Sequence, residues 1–127
     1  MIKANELRIG NLVNRHDIGD DHIRIEYILE LGNKPITSGP SKVICEYEDL
    51  FGITLTEEWL LKFGFNRGGY DYWINNKIHI EIRDYKTGDY SLSINEGEFS
   101  EGKQFQYVHK LQNICFALSG EELQLSK

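Results

Sequence analysis

The loop Asn66-Arg67-Gly68-Gly69 and the aromatic residues that follow it could bind a ligand. Successive backbone N–H groups of a glycine-rich turn can form an anion-binding nest. An arginine beside them can clamp a phosphate with two hydrogen bonds. We predict a nucleotide-like ligand here, with a tyrosine stacked on its base. The predicted ligand-binding residues are Arg67, Tyr70, Tyr72 and Arg83. The alternative is an ordinary Gly-Gly turn before strand aromatics that pack in the core.

A second segment with chemical potential is the polar stretch from His16 to His22. It contains His16, Asp17, Asp20, Asp21 and His22. Imidazole and carboxylate groups this close could hold a divalent cation, and would then serve a metal-assisted hydrolase. The spacing is not that of a calcium-binding loop, however, and Asp and Gly dominate ordinary turns. We therefore expect a solvated hairpin loop with no metal.

Catalytic signatures are absent from the sequence. It contains no nucleophile elbow, zinc-protease motif, Walker loop or dinucleotide-binding fingerprint. His79 alternates with apolar neighbours, so we place it on the less buried face of a strand, close to Glu81. His109 falls on a second face of the last helix with Phe105, Gln112 and Phe116, which predicts either a partner surface or a helix packed on two sides. We expect a binding protein without a cofactor, and no enzyme.

The charge balance argues against general nucleic-acid binding. Fourteen basic side chains face twenty acidic ones, for a net charge of −6, and the basic residues are scattered along the chain. Binding to a polyanion needs clustered lysine and arginine that release its counterions. A DNA mimic would need a dense carboxylate stripe. The acidic groups at 46–49 and 96–101 are better explained as solvated surface.

The cysteines and the apolar segments bear on the compartment. Cys45 and Cys115 have no cysteine or histidine at metal-ligand spacing, and both lie in apolar patterns, which predicts buried thiols. The N-terminus lacks the apolar region of a signal peptide, and no stretch approaches membrane-spanning length. We therefore predict a cytoplasmic protein that does not cross a membrane.

The order of elements predicts an α+β fold in one domain over residues 1–127. The predicted parts are an N-terminal β part at 1–50, a short helix at 55–64, a three-stranded antiparallel meander at 65–95 and a C-terminal helix at 105–118. The first part has predicted strands at 7–13, 23–31 and 43–47. They would form a small bent antiparallel sheet, for which an SH3-like shape is one solution.

Two local patterns are the clearest. The strand at 23–31 has an apolar face, which we predict to be buried, and a mixed face. The apolar face contains Ile23, Ile25, Tyr27, Leu29 and Leu31, and the mixed face contains Arg24, Glu26, Ile28 and Glu30. In the helix at 55–64, Thr56 is the predicted N-cap and Gly64 the predicted left-handed end.

Three blocks of sequence are similar to an uncharacterised family of short proteins from phages, prophages and conjugative elements of anaerobic gut bacteria. The blocks are KANELRIGN at 3–11, LTEEWLLKFGF at 55–65 and YVHKLQNICFALSGEEL at 107–123. They occur in this order and span the chain. The resemblance implies a non-catalytic protein that regulates packaging, binds a host protein or blunts host defence.

One class of defence-blunting protein captures the nucleotide second messengers of bacterial immune systems. Such proteins are small, compact and usually homo-oligomeric. The resemblance therefore makes an anti-defence protein that sequesters a nucleotide-derived signal our most concrete expectation. The alternative is an inhibitor or adaptor that acts on a host protein.

Overall fold

The computed structural model describes residues 2–16, 23–39, 41–68, 71–75, 79–94 and 105–125. It contains two antiparallel sheets, a short helix and a longer C-terminal helix, which confirms the α+β class. The chain divides into two compact units. One is Met1–Thr54 with Tyr107–Asn113, and the other is Leu55–Gln106 with Ile114–Lys127.

The first unit contains a five-stranded sheet with the order β4-β3-β2-β1-β5. Its strands are β1 Leu12–Arg15, β2 Arg24–Glu30, β3 Ile36–Thr37, β4 Val43–Ile44 and β5 Leu50–Phe51, with 3₁₀ turns at Ala4–Glu6 and Tyr47–Asp49. A register shift between Ile28 and Glu30 interrupts the pairing of β2 with β3, and such irregularities bend a strand. The SH3-like shape stays a prediction.

The predicted strands of this region need correction. Three strands were expected and five are present. The strand predicted at 7–13 begins only at Leu12, and the one predicted at 43–47 ends at Ile44. The two additional strands, β3 and β5, have two residues each. Strands this short carry no alternation from which they could be recognised.

The buried face of β2 is the opposite of the predicted one. Ile25 and Tyr27 are 56% and 39% exposed, whereas Glu26 and Ile28 are buried. The prediction failed because Glu26 does not face solvent: its carboxylate accepts hydrogen bonds from Arg15 inside the unit. A paired interior charge makes the buried face of a strand look polar in the sequence.

The second unit contains a four-stranded sheet with the order β6-β7-β8-β9. Its elements are α1 Glu57–Lys62, β6 Asn66–Gly68, β7 Asp71–Asn75, β8 His79–Asp84 and β9 Tyr90–Ile94. The meander β7-β8-β9 confirms the predicted hairpins. Alternate residues, among them Tyr72, Ile80, Ile82 and Leu92, are buried. The strand β6 stands where a turn was predicted.

The helix ends follow their local signals in part. The Thr56 hydroxyl accepts from the N–H of Trp59, and Gly64 has a φ of 90°, so the predicted cap and stop of α1 are confirmed. The second helix, α2, spans Val108–Ser119 and not 105–118. It starts later because Phe105 and Tyr107 form β-bridges instead, with Tyr90 and Thr54 respectively.

Both cysteines are buried thiols, as predicted, and burial raises the pKa of Cys115 to about 12. Within the described ranges, no helix combines the length and the apolar character needed to cross a membrane.

Candidate functional site

The structure places the predicted nucleotide loop in a sheet. The backbone of Asn66–Gly68 pairs with β7, so these residues are a strand and do not curl into an anion-binding nest. Arg67 lies opposite Tyr72. Tyr70 lies outside the described residues. The prediction of a turn at this point was wrong, because a neighbouring strand takes up the extended backbone.

The three described members of the predicted site do not meet on one surface. Arg67 and Tyr72 share a face of the sheet, whereas Arg83 lies opposite Asp71, one register position away, on the other face. Tyr72 is only 2% exposed and cannot stack on a base. Arg67 forms an ion pair with Glu57 at 2.5 Å, and the Arg83 Nε lies 3.5 Å from the Asp71 carboxylate. Both arginine side chains therefore already have an acidic partner in the second unit.

The histidines of the sequence have contrasting surroundings. Of the predicted polar loop, only His16 belongs to the described residues. In the part of the chain that the structure describes, no group of three or more His, Cys, Asp or Glu could hold a metal. His79 is half-buried on β8, with its Nε2 2.9 Å from the Glu81 carboxylate, as predicted. His109 is different, and it marks the strongest candidate site.

A cavity of about 190 Å³ lies within the first unit. Its lining comes from the 3₁₀ turn at 4–6, the end of β5 and the start of α2. The lining residues are Ile2, Glu6, Phe51, Gly52, Tyr107 and His109. The cavity therefore combines aromatic rings with a carboxylate and an imidazole.

The Tyr107 side chain forms one wall of the cavity. Its position depends on contacts with the segment that follows β5. The N–H of Val108 donates to the carbonyl of Ile53 at 2.9 Å, which joins the first turn of α2 to the segment after β5. Gly52 lies directly under the Tyr107 ring. A Cβ at this position would be 2.7 Å from the Cδ1 of that ring, so only glycine fits without displacing it.

The wall that carries Glu6 is fastened to α2 by Asn113. The Asn113 Nδ2 donates to the carbonyl of Glu6 at 2.8 Å. Its Oδ1 accepts from the Arg8 Nε at 3.2 Å and from the Asn11 Nδ2 at 2.7 Å. Gln112 adds a second tie, since its Oε1 accepts from the N–H of Leu12 at 2.8 Å. Segments from the two ends of the sequence are thus held in register at the cavity.

The Glu6 carboxylate is an anion at neutral pH. The Lys110 Nζ lies 2.5 Å from its Oε1, and the N–H of Lys3 donates to its Oε2 at 3.1 Å. The hydrogen bond from Lys110, followed by that from the Lys3 backbone, lowers the pKa of Glu6 below its usual 4.5. The cavity therefore contains a fixed negative charge whose counter-ion is already engaged.

The imidazole of His109 is the least satisfied polar group of the site. It is 1% exposed, and neither ring nitrogen has a hydrogen-bond partner among the described residues. Its Nε2 is 3.9 Å from the Glu6 Oε1, and its ring stacks on Tyr107 with centroids 5.8 Å apart. Burial, and then the charge of Lys110, lower the pKa of His109, although Glu6 opposes them. The ring is therefore neutral at pH 7.

This arrangement suits binding better than covalent chemistry. Apart from the Tyr107 phenol, the described lining residues carry no hydroxyl or thiol that could act as a nucleophile. A neutral imidazole offers one donor and one acceptor, and an ionised carboxylate offers acceptors only. The site can therefore hold a planar, polar molecule against two aromatic rings.

The sequence contains a partial signal for this site. It placed His109 on a second face of the last helix together with Gln112, and both residues are buried there. Phe105 is buried too, and of the two alternatives this burial counts against a partner surface that it would share with Phe116. Glu6 and Gly52 were missed, because only the tertiary structure brings them to the helix.

Comparison with protein-family models, curated proteins and solved structures finds no match for this chain.

Proposed function

We propose that this protein is a non-catalytic binding protein and that its ligand occupies the cavity beside His109. The observation that carries the proposal is the buried imidazole without hydrogen-bond partners in the wall of a cavity. Leaving a buried polar group unsatisfied costs about 1–3 kcal/mol. Such a group is satisfied when a water, an ion or a bound molecule completes its surroundings, and the adjoining cavity has room for a bound molecule.

In its biological form, the proposal concerns a phage or mobile-element protein of the bacterial cytoplasm. The molecule that it holds would be a nucleotide-derived signal of host immunity, and the protein would act by sequestering that signal. The resemblance of the three sequence blocks supports this version. Aromatic rings beside hydrogen-bonding groups, as at Tyr107 and Phe51, are suited to a nucleobase. Assembly into a homo-oligomer belongs to the same proposal.

Native mass spectrometry with a panel of linear and cyclic nucleotides tests this function. We expect a stoichiometric adduct of unchanged ligand mass. Tyr107→Ala, which removes a partly exposed ring of the cavity, should abolish the adduct. Arg67→Ala is the matched control and should retain it.

The outcomes separate the competing interpretations. An adduct that survives Tyr107→Ala and disappears in Arg67→Ala would return the site to β6. A product mass in place of the ligand mass would make the protein an enzyme.

A second function is favoured by the exposed apolar face of β2. Ile23, Ile25 and Tyr27 alternate along one face and are all exposed, and Asn14 joins Ile25 to Phe51 across the strands. Contiguous exposed apolar side chains mark protein–protein interfaces. This face would serve an inhibitor or adaptor of a host protein. Loss of a captured host protein in Ile25→Asp, with nucleotide binding unchanged, would favour it.

A further inference from the structure

Resting on the proposed function, we infer that the cavity binds an uncharged planar base with adjacent N–H donors, the pattern of guanine. Phosphate groups of the ligand stay outside. The inference concerns which part of a nucleotide is recognised, and it follows from the charge, hydrogen-bonding capacity and size of the cavity.

The charge of the cavity excludes phosphate. Glu6 is ionised, His109 is neutral, and the described lining residues include neither lysine nor arginine. Lys110 lies beside the cavity, but the Glu6 carboxylate already pairs with it. A phosphate in the cavity would thus lie against the Glu6 carboxylate with no further cation among the described lining residues to neutralise it, and like charges at short range repel.

The hydrogen-bonding capacity of Glu6 selects a ligand that donates. A carboxylate has about four lone-pair sites. The Oε1 accepts from Lys110 and the Oε2 accepts from the N–H of Lys3, which leaves acceptor capacity on both oxygens. The N1–H and N2–H groups of guanine are adjacent and parallel, so they can address two carboxylate oxygens together. Adenine has a single amino group on the same edge and cannot.

The size of the cavity and its rings fit one base. A cavity of roughly 150 Å³ holds a benzene molecule, so 190 Å³ accommodates a base but not a whole nucleotide. Tyr107 and Phe51 are each 39% exposed and offer ring surface for stacking. The ribose and the phosphates would then lie at the mouth.

Isothermal titration calorimetry of the intact protein tests the inference with five probes. These are guanosine, adenosine, guanosine 5′-monophosphate, inorganic phosphate and agmatine. We expect guanosine to bind at least about tenfold more tightly than adenosine, the effect of one hydrogen bond lost from a charged acceptor. The monophosphate should bind within about threefold of guanosine, since its phosphate gains no free cation. Phosphate should give no binding. Agmatine has paired N–H donors but no aromatic ring to stack on Tyr107, so it should bind more weakly than guanosine.

Two variants and one control show which residues determine the affinity for guanosine. Glu6→Gln keeps the size of the side chain but places an amide N–H against the donors of the base. It should weaken guanosine binding roughly ten- to hundredfold. Glu58→Gln makes the same chemical change at an exposed position of α1 and should leave binding unchanged. Tyr107→Ala should weaken guanosine and adenosine equally.

The contrary results are distinct from a failure of the proposed function. Binding of phosphate, or a monophosphate much tighter than guanosine, would overturn the inference and leave a ligand-binding cavity in place. Equal affinity for adenosine and guanosine, or binding of agmatine alone, would overturn the guanine assignment in the same way. Absence of binding by every nucleoside and nucleotide would reject both the inference and the proposed function.

Discussion

The first unit buries two charged or titratable groups in opposite ways. Inside the five-stranded sheet, the Glu26 carboxylate accepts from Arg15 at 2.6 Å and 3.2 Å and from the Thr37 hydroxyl at 2.6 Å. Burial raises the pKa of Glu26, but the hydrogen bonds from Arg15 and Thr37 outweigh it and hold the pKa below its usual value. In the cavity wall, His109 is equally buried, yet its nitrogens have no partners among the described residues.

The difference separates a polar group with its hydrogen bonds made from one without them. A buried ion pair with its hydrogen bonds made is a closed arrangement with nothing left for a ligand. An unsatisfied imidazole beside a cavity and an ionised carboxylate is an open one, and its cost is offset when the cavity is occupied. The predictions below test whether the two groups respond to mutation in opposite ways.

The largest effect on stability is expected at the buried Arg15–Glu26 ion pair. Arg15→Met leaves the Glu26 carboxylate buried without its ion-pair partner, and should lower the free energy of unfolding by about 3–5 kcal/mol. Urea denaturation measures the change. The double variant Arg15→Met with Glu26→Leu removes both charges and should recover most of the loss. A cost below about 1 kcal/mol for the single variant would show that the pair is dispensable.

The next largest effect on stability is expected at Gly52, which lies against the Tyr107 ring. Gly52→Ala brings a Cβ to 2.7 Å from the ring, and the resulting displacement should cost about 1–3 kcal/mol of stability. Nucleotide binding should fall with it. Gly32→Ala is the matched control, because a Cβ there meets none of the described atoms within 4 Å. Equal stabilities of the two variants would contradict the packing of Tyr107 on Gly52.

An increase in stability is expected when His109, whose ring nitrogens are unsatisfied, is replaced. His109→Phe removes two unsatisfied nitrogens and breaks no hydrogen bond, so it should stabilise the protein by about 1 kcal/mol. Gln112→Leu, on the same helix, is the contrast: it deprives the N–H of Leu12 of its acceptor and should destabilise. If His109→Phe destabilises as much as Gln112→Leu, the imidazole has a structural partner and the comparison fails.

The smallest effect is a dependence of stability on pH. Because the pKa of His109 is lowered on folding, the unfolded chain binds more protons near pH 6.5, and stability should fall as the pH drops through that value. Relative to His109→Phe, the wild type should lose up to about 0.7 kcal/mol between pH 7 and pH 6. Glu6 and Lys110 face the ring, and the lowered pKa of Glu6 keeps its carboxylate ionised over this range. Parallel pH profiles of the two proteins would contradict the neutral state of His109.

Local signals in the sequence predicted local structure well. The cap at Thr56 and the stop at Gly64 flank the helix that they define, and the meander of β7, β8 and β9 alternates along each strand. The orientation of β2 could not be predicted in this way, because the pairing of Glu26 with Arg15 reverses the meaning of its polar face.

The candidate site could not be predicted from local signals either, because it too depends on tertiary contacts. The segment at 66–69 has the composition of an anion-binding turn, but its residues Asn66–Gly68 pair with β7 as a strand. Glu6 and His109 come from distant parts of the sequence, and the hydrogen bonds of Asn113 and Gln112 help to bring them together. A histidine among the buried residues of a helix was the one visible sign, and the sequence alone does not say whether its nitrogens are satisfied.

The most direct test is a guanosine titration followed by NMR of protein labelled with nitrogen-15 in its histidine rings. The chain has four histidines, and His79, on β8 in the second unit, is an internal control. The account predicts a saturable shift of the His109 ring signals with those of His79 unchanged. Guanosine binding that leaves the His109 signals in place would show that the cavity is not the ligand site.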